Sequence, residues 1–493
     1  MSIRTPSPLE HLAMQSLLSN QSLLVSALKD LSMHLFPSVF MEAYDQGHTE
    51  VLKAMVQAWP FPCLPLGDLD ESLDLETLNA VLDGLDLLLA KKERPSGWKL
   101  QVLNLQGENS NIWIKGYTSM ALLSYPDISL PQPTGSCGLL MTEEQPLMIV
   151  MNLTINHGPQ DAFQASLLQW ARKRKKRVQL WCRKLQILSG SIYKIQKALL
   201  TVRLDSIREL KVNKFWLRET MKNFAPYLSQ MKNLHIFNFS KMSAKFYTST
   251  LKNAWYSCQY AAHLGQLQHL QELHVHSVFF LYGKLPNILQ SVTHLKTLSL
   301  HSCPLKETDI RFVSLSPCTK QLKHLRLRSL FMGCFSPELL RALLEHVAGT
   351  VEMLALEDCA ITNSHLSAIL PALSQCSQLI FFSFYGNDIS MAAMQNLLSH
   401  TARLGRLRLG LYPLPQEGYP SQYLGLGSIG PERIAQVWDQ LIQALRDMRT
   451  TQKVQICPSF CHCHKKCLFY SLGPDGSWVL KIEPSPDLCA LLV

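Results

Sequence analysis

The chain has 493 residues, 47% of them apolar and 17% charged, with a formal net charge of +10. That length exceeds one ordinary globular core and calls for several domains or an extended repeat, while the apolar content excludes a disordered chain. The charge is modest for this size and sits in short clusters, which excludes a dedicated nucleic-acid-binding domain.

The polar opening residues predict no secretory leader. No run is apolar enough to span a bilayer, since LDGLDLLLA is broken by Asp83 and Asp86. Fourteen cysteines are therefore expected as thiols in a reducing compartment.

In chain order, residues 7 to about 92 read as a helical block. Ser7, Pro8 and Glu10 have the order of an N-cap, a first-turn proline and a capping-box acid, so a helix should start here. Leu9, Ala13 and Leu17 recur at steps of four and share one side, with Leu12, Ser16 and Leu18 broadening or interrupting the stripe. Two readings stand: the first helix of the fold docked on its own domain, or a hook for another protein. QSLLVSALKDLSMHLF, PSVFMEAYDQ, HTEVLKAMVQAW and ETLNAVLDGLDLLLAKK complete a helical cap over 1–95.

From 96 to about 415 the pattern L-x-x-L-x-L repeats, starting at Leu270, Leu295, Leu322, Val351, Leu379 and Leu404. Weaker copies start at Ile207 and Leu234 and near Leu100. Segments such as PELLRALLEHV lie between them, predicting an α/β leucine-rich-repeat solenoid of the ribonuclease-inhibitor type. Insertions are expected at about 107–150 and at 241–266, the second holding its own helix, and a C-terminal cap over 416–493. In each strand the leucine pair, such as Leu325 and Leu327, should face the core. The alternate positions then build a concave face from His274, His276, Ser299, His301, Arg326, Arg328, Ala355, Glu357, Phe381, Ser383, Tyr385, Arg406 and Arg408. This is a basic face with an aromatic patch, suited to an acidic partner carrying an apolar anchor.

Three smaller constellations remain. Arg172, Lys173, Arg174, Lys175, Lys176 and Arg177 form a run that reads either as a nuclear-import signal or as a solvated helix face. L-x-x-L-L sequences occur at 85–89, 340–344 and 488–492, the first two expected on buried helix faces. Cys457, Cys461, Cys463 and Cys467 in CPSFCHCHKKC offer thiolates for a structural zinc or stand as reduced thiols; no other cofactor is implied. No nucleophile elbow, phosphate loop, zinc-protease or kinase signature is present, so the chain is expected not to be an enzyme.

LFPSVFMEAYDQGHTEVLKAMVQAWPFPCLPLGDL, LNAVLDGLDLLL, WKLQVLNL and SQCSQLIFFSFYGNDIS closely resemble the family of the preferentially expressed antigen of melanoma and its oogenesin relatives, over nearly the whole chain. The resemblance implies a leucine-rich horseshoe with a helical cap that serves as substrate receptor of a cullin-2 ubiquitin ligase through elongins B and C. It also implies links to repression of transcription, differentiation and cell death, and both cytoplasmic and nuclear location. Under it, Pro8, Leu9, Ala13 and Leu17 fit an elongin-C box, and Phe36, Pro37, Val39 and Phe40 are candidates for a cullin box, with Ser38 departing from the pattern. The ligase substrate would be an unidentified protein such as a transcription or chromatin regulator, with neither nucleic acid nor membrane bound directly. The competing expectation is a scaffold without ligase function.

Overall fold

The computed structural model describes residues 9–69, 74–90, 99–107, 112–115, 146–242, 250–278, 281–418, 431–447, 452–457, 460–461, 466–472 and 478–484. Two compact units divide the chain between Ile207 and Arg208, within the repeats and not at the 95/96 boundary that the sequence suggested.

The first unit opens with helices α1 (Leu9–Ser19), α2 (Gln21–Ala27), α3 (Phe36–Asp45) and α4 (Thr49–Gln57). There follow β1 (Cys63–Pro65), α5 (Leu75–Leu89), β2 (Val102–Asn104), α6 (Ile112–Lys115), β3 (Leu147–Ile155), α7 (Ala162–Lys173), β4 (Val178–Ile187), α8 (Ile192–Leu199) and β5 (Val202–Arg203). Side chains supply the helix starts: the Asp74 carboxylate accepts the Thr77 N–H at 2.7 Å, and Asp161 accepts that of Gln164 at 3.0 Å. Strands β1 to β5 pair in parallel, with Leu64, Leu103, Ile149 and Leu180 in register and all buried. Four of these strands, β1, β3, β4 and β5, were not foreseen. β3 begins inside the expected 107–150 insertion, and in LMIVMNLTI both faces are largely buried, so its apolar run hides the repeat signature.

The second unit runs β6 (Glu209–Trp216), α9 (Arg218–Leu228), β7 (Ile236–Met242), α10 (Thr250–Leu264), β8 (Glu272–His276), α11 (Leu285–Ser291), β9 (Thr297–His301) and α12 (Glu307–Leu315). It continues β10 (His324–Arg328), α13 (Pro337–Val347), β11 (Met353–Glu357), α14 (Asn363–Leu373), β12 (Phe381–Ser383), α15 (Met391–Thr401), β13 (Leu409–Pro413), α16 (Pro431–Asp447) and β14 (Lys453–Cys457). β15 (Phe460–Cys461), β16 (Lys466–Leu472) and β17 (Trp478–Pro484) follow. β6 to β14 form one parallel ladder, after which β14, β16 and β17 turn antiparallel. The repeat ladder thus extends past residue 415. The repeat that holds the expected 241–266 insertion spans 36 residues from Leu234 to Leu270 and carries the helix α10, packed against α9 and α11.

The leucine pairs behave as the period of two demands: Leu298 and Leu300, Leu325 and Leu327, Leu354 and Leu356, and Phe382 and Phe384 are all buried to 1% exposure or less. Three residues beyond three of these pairs sits a side chain that bonds the strand-to-loop backbone, while Leu330 takes the place beyond Leu327. Asn387 donates from Nδ2 to the carbonyls of Leu356 (2.7 Å) and Phe384 (2.8 Å) and accepts the Cys359 and Ile361 N–H groups, each at 3.1 Å. In two other repeats a thiol takes this place: Cys303 lies 3.3 Å from the His301 carbonyl, and Cys359 lies 3.3 Å from that of Leu327. Burial pushes the Cys303 thiol up to about 11 and those of Cys182, Cys359 and Cys376 up to about 12. At the same edge Ser277, Ser302, Ser329 and Asp358 take the left-handed conformation, with φ between 48° and 54°. The three serines donate their N–H to the last carbonyl of the next strand and Asp358 donates to the Tyr385 carbonyl just past β12, each adding one rung to the ladder at 2.8–3.0 Å.

One repeat differs from its sequence reading. β12 pairs Phe382 with Gly410, so the frame is Leu407, Gly410 and Tyr412, and not Leu404, Leu407 and Leu409. Read this way, the interval from Leu379 is 28 residues, equal to the one before it. A Cβ on Gly410 would lie 2.4 Å from the Tyr412 ring, so the ring fills the room a leucine takes elsewhere. The Tyr412 hydroxyl donates to Thr401 Oγ1 at 2.8 Å, and burial pushes its pKa well up. Arg406 and Arg408 therefore precede the strand and do not sit on its concave face. The Arg406 guanidinium donates to the Gln378 side-chain oxygen in the preceding turn.

Gly410→Leu should destabilise the chain by about 1–3 kcal/mol through overpacking, and Gly410→Leu with Tyr412→Leu, which restores the consensus, should recover about 1 kcal/mol of that. Urea unfolding of the two variants reads the difference. Iodoacetamide at pH 8 should modify the exposed Cys258 and Cys334 and spare Cys182, Cys303, Cys359 and Cys376 until the chain unfolds, as read by peptide mass spectrometry.

Candidate functional site

α1 forms where the sequence placed it. Leu18 is buried and seats the helix on the cap, while Ala13 is exposed and Leu17 half-buried. Pro8 and the side chain of Leu9 lie outside the described residues. One face of α1 therefore offers a small residue beside a partly open leucine.

The four cullin-box candidates are corrected by their burial. Phe36, Pro37, Val39 and Phe40 all point into the cap, with Phe40 fully enclosed. Phe40 stacks on Trp113 with ring centroids 5.4 Å apart and meets Trp59 edge-on at 5.3 Å, and Phe36 meets the same indole at 6.2 Å. Both indoles spend their N–H groups inside: Trp59 donates to the Cys63 carbonyl at 2.9 Å and Trp113 to that of Pro65 at 3.0 Å. The proline at the start of α3 and the aromatic residue that follows form the aromatic core of the cap, and the outward face of α3 carries Ser38, Met41 and Glu42.

On the strand face of the second unit, His276 and His301 stack at 4.1 Å and His274 meets Glu272 at 3.2 Å. The histidine hydrogen bond holds the Glu272 carboxyl below its usual value. Arg326 and Arg328 face the same side, half-buried. Arg328 lies 3.8 Å from Glu357, whose other partner is the Tyr385 hydroxyl at 3.2 Å, and its guanidinium sits 6.0 Å from the Tyr385 ring centre. The expected aromatic patch is not a presented surface. Phe381 and Tyr385 pack with Met353, Leu411 and Cys457 in a buried cluster, because large side chains on adjacent strands close over one another. The histidines and Arg326 remain of the predicted face.

Cys457 belongs to that apolar cluster and behaves as a core thiol. Cys463 and the side chains of Cys461 and Cys467 lie outside the described residues. Among the described residues no group of three or more His, Cys, Asp or Glu is placed to hold a metal. The L-x-x-L-L copies at 85–89 and 340–344 turn their leucines inward, Leu85, Leu88 and Leu89 on α5 and Leu340, Leu343 and Leu344 on α13; the copy at 488–492 lies outside the described residues.

The basic run follows α7 into the turn before β4, and half of it ties down neighbouring helices. Arg174 forms an ion pair with Asp86 of α5 and lies 4.5 Å above the Trp170 ring, and Arg177 donates to the Leu89 carbonyl at the end of α5. Arg172 donates to the Lys197 carbonyl in the last turn of α8 at 3.3 Å. These arginines satisfy the unpaired carbonyls and negative dipole ends of two helices. Lys173, Lys175 and Lys176 stay exposed. Sequence reading overlooked Lys194 and Lys197 of α8, which line a cleft together with Arg172.

The model of the PRAME N-terminal domain matches residues 6–113, and that of the PRAME C-terminal domain matches residues 147–476. The chain belongs to the PRAME family. Human PRAME family member 12 is 42% identical over 450 residues, 91% of this chain and 92% of that protein. Human PRAME family members 20 and 8 are each 40% identical, over 95% and 99% of this chain and 98% and 100% of theirs. The two PRAME models leave unmatched the segment that the sequence marked as an interruption. Among solved structures, the leucine-rich repeat-containing protein LegL7 of Legionella pneumophila aligns over 67% of this chain and 92% of its own at 11% identity, with a TM-score of 0.35. The parallel ladder with its buried leucine pairs makes this PRAME member a leucine-rich-repeat scaffold for protein interaction.

Phe40→Ala should cost about 3–5 kcal/mol of stability by emptying the space between the two indoles, seen as a lower midpoint in calorimetry and a change in near-ultraviolet dichroism.

Proposed function

We propose that the chain is the substrate-recognition adaptor of a cullin-2 ubiquitin ligase, with α1 engaging elongin C and the repeat face holding a protein substrate. The observation that carries this reading is the split on α1: Leu18 goes into the cap while Ala13 is exposed and Leu17 stays half-open, as a hook for a second protein requires. Leu9 would be the second anchor and Pro8 the entry to the helix. Elongin B comes with elongin C, and cullin-2 meets the outward side of α3 at Ser38, Met41 and Glu42, since the box residues proper are internal. Such an adaptor works by proximity, raising the effective concentration of a substrate lysine beside a conjugating enzyme held elsewhere in the complex. A transcription or chromatin regulator as substrate agrees with residence in both cytoplasm and nucleus, where Lys173, Lys175 and Lys176 would serve import.

The internal position of the cullin-box residues favours a second reading, a scaffold that holds its partner without a cullin. Ala13→Phe, or Leu9→Ser, should abolish recovery of elongins B and C in a pull-down and move the unfolding midpoint little. Undiminished elongin recovery by both variants would overturn the α1 hook, and no elongin recovery by the unaltered chain would favour the scaffold.

A further inference from the structure

Between 162 and 204 the sequence has eleven Lys and Arg residues and no Asp or Glu, while the other 450 residues hold 36 basic and 37 acidic side chains. The whole net charge of the protein thus resides in the α7–β4–α8 segment. Its nearest carboxylates are already committed: Asp161 caps α7, Asp86 pairs with Arg174, and Asp205 pairs with Arg203 at 2.7 Å. Between α7 and α8 lies a cleft of about 590 Å³ whose lining includes Arg172, Lys194 and Lys197 and no acidic side chain. Ile155, Leu168 and Ala198 give it an apolar floor. Lys194 donates to the carbonyls of His157 (2.8 Å) and Gly158 (2.9 Å), which fix its ammonium at the rim without neutralising it.

We propose that this cleft docks an acidic segment of a partner protein, its carboxylates meeting Arg172, Lys194 and Lys197 and an apolar side chain resting on the floor. Charge complementarity selects an anion, and the floor selects a peptide over a nucleic acid. The two indoles of the segment are already covered, Trp170 by Arg174 and Trp181 by Arg203 at 4.9 Å, which leaves Tyr193 as its exposed aromatic ring. The site is independent of elongin binding and of the strand face in the second unit, so it holds or fails apart from the ligase reading.

The probe is a fluorescein-labelled peptide of Glu, Asp and Leu, titrated into the full chain and followed by anisotropy, with its Gln and Asn counterpart and single-stranded oligothymidine as competitors. The acidic peptide should bind with an affinity that falls as salt rises. Lys194→Glu with Lys197→Glu should weaken it about tenfold or more, while Lys232→Glu, an exposed lysine of the second unit, leaves it within about twofold. Carbodiimide coupling should join the peptide to Lys194 or Lys197. Should the double reversal fail to fold, Lys194→Gln with Lys197→Gln and the coupling map decide instead. Absence of peptide binding, equal binding by the altered and unaltered chains, or tighter binding of oligothymidine than of the peptide would each overturn the proposal.

Discussion

The paired side chains that each strand turns inward can be dried only by the repeats on either side. A single repeat has no second layer to cover its leucines, so the register of one strand against the next decides whether any of them is buried. In the second unit that register holds from Leu210 through Phe237, Leu273, Leu298, Leu325 and Leu354 to Phe382, all buried. Where the ladder reaches a glycine, at Gly410, a tyrosine two residues on supplies the missing volume, and its hydroxyl finds a threonine on α15. The seam is thus filled there although the residue types exchange places.

Polar side chains follow the same economy. Arg174 and Arg177 hold α5, Arg172 holds the end of α8, and Glu357 joins Arg328 to Tyr385. Residues that look like recognition surface when read in a line are partly used up in closing the fold. What stays open for partners is narrower: the outer face of α1, the histidines and Arg326 on the strand face, and the rim of the α7–α8 cleft.

The helical cap, the strand-and-helix alternation and the inward leucine pairs could all be read in the sequence, because a period of two or of 3.6 residues is a local property. The presence of a helix at α1 and the burial of the L-x-x-L-L copies on α5 and α13 were equally legible. β1 and β5 are too short to show a period, β3 was not legible because LMIVMNLTI has both faces covered and lacks alternation, and β4, VQLWCRKLQI, does alternate and was overlooked. The frame at Leu407 was lost because Leu404 and Leu409 imitate the pattern three residues early. The cullin-box residues matched a motif, but only the tertiary position of Trp59 and Trp113 shows that Phe36 and Phe40 face inward. Likewise the partners of Arg174 and Arg177 lie 88 residues away, beyond the reach of any local pattern.

The left-handed rungs at Ser277, Ser302, Ser329 and Asp358 place non-glycine residues in a conformation that costs about 1–2 kcal/mol each, repaid in part by the added backbone bond and by the Ser329 hydroxyl donating to Asp358 at 2.9 Å. The next repeat has a glycine in that place, Gly386. The edge of the second unit is thus built below its attainable stability, and the deficit lies in the loops and not in the core. A more heat-resistant form of this protein could be reached by carrying the glycine solution back along that edge, repeat by repeat, with no leucine of the seam exchanged.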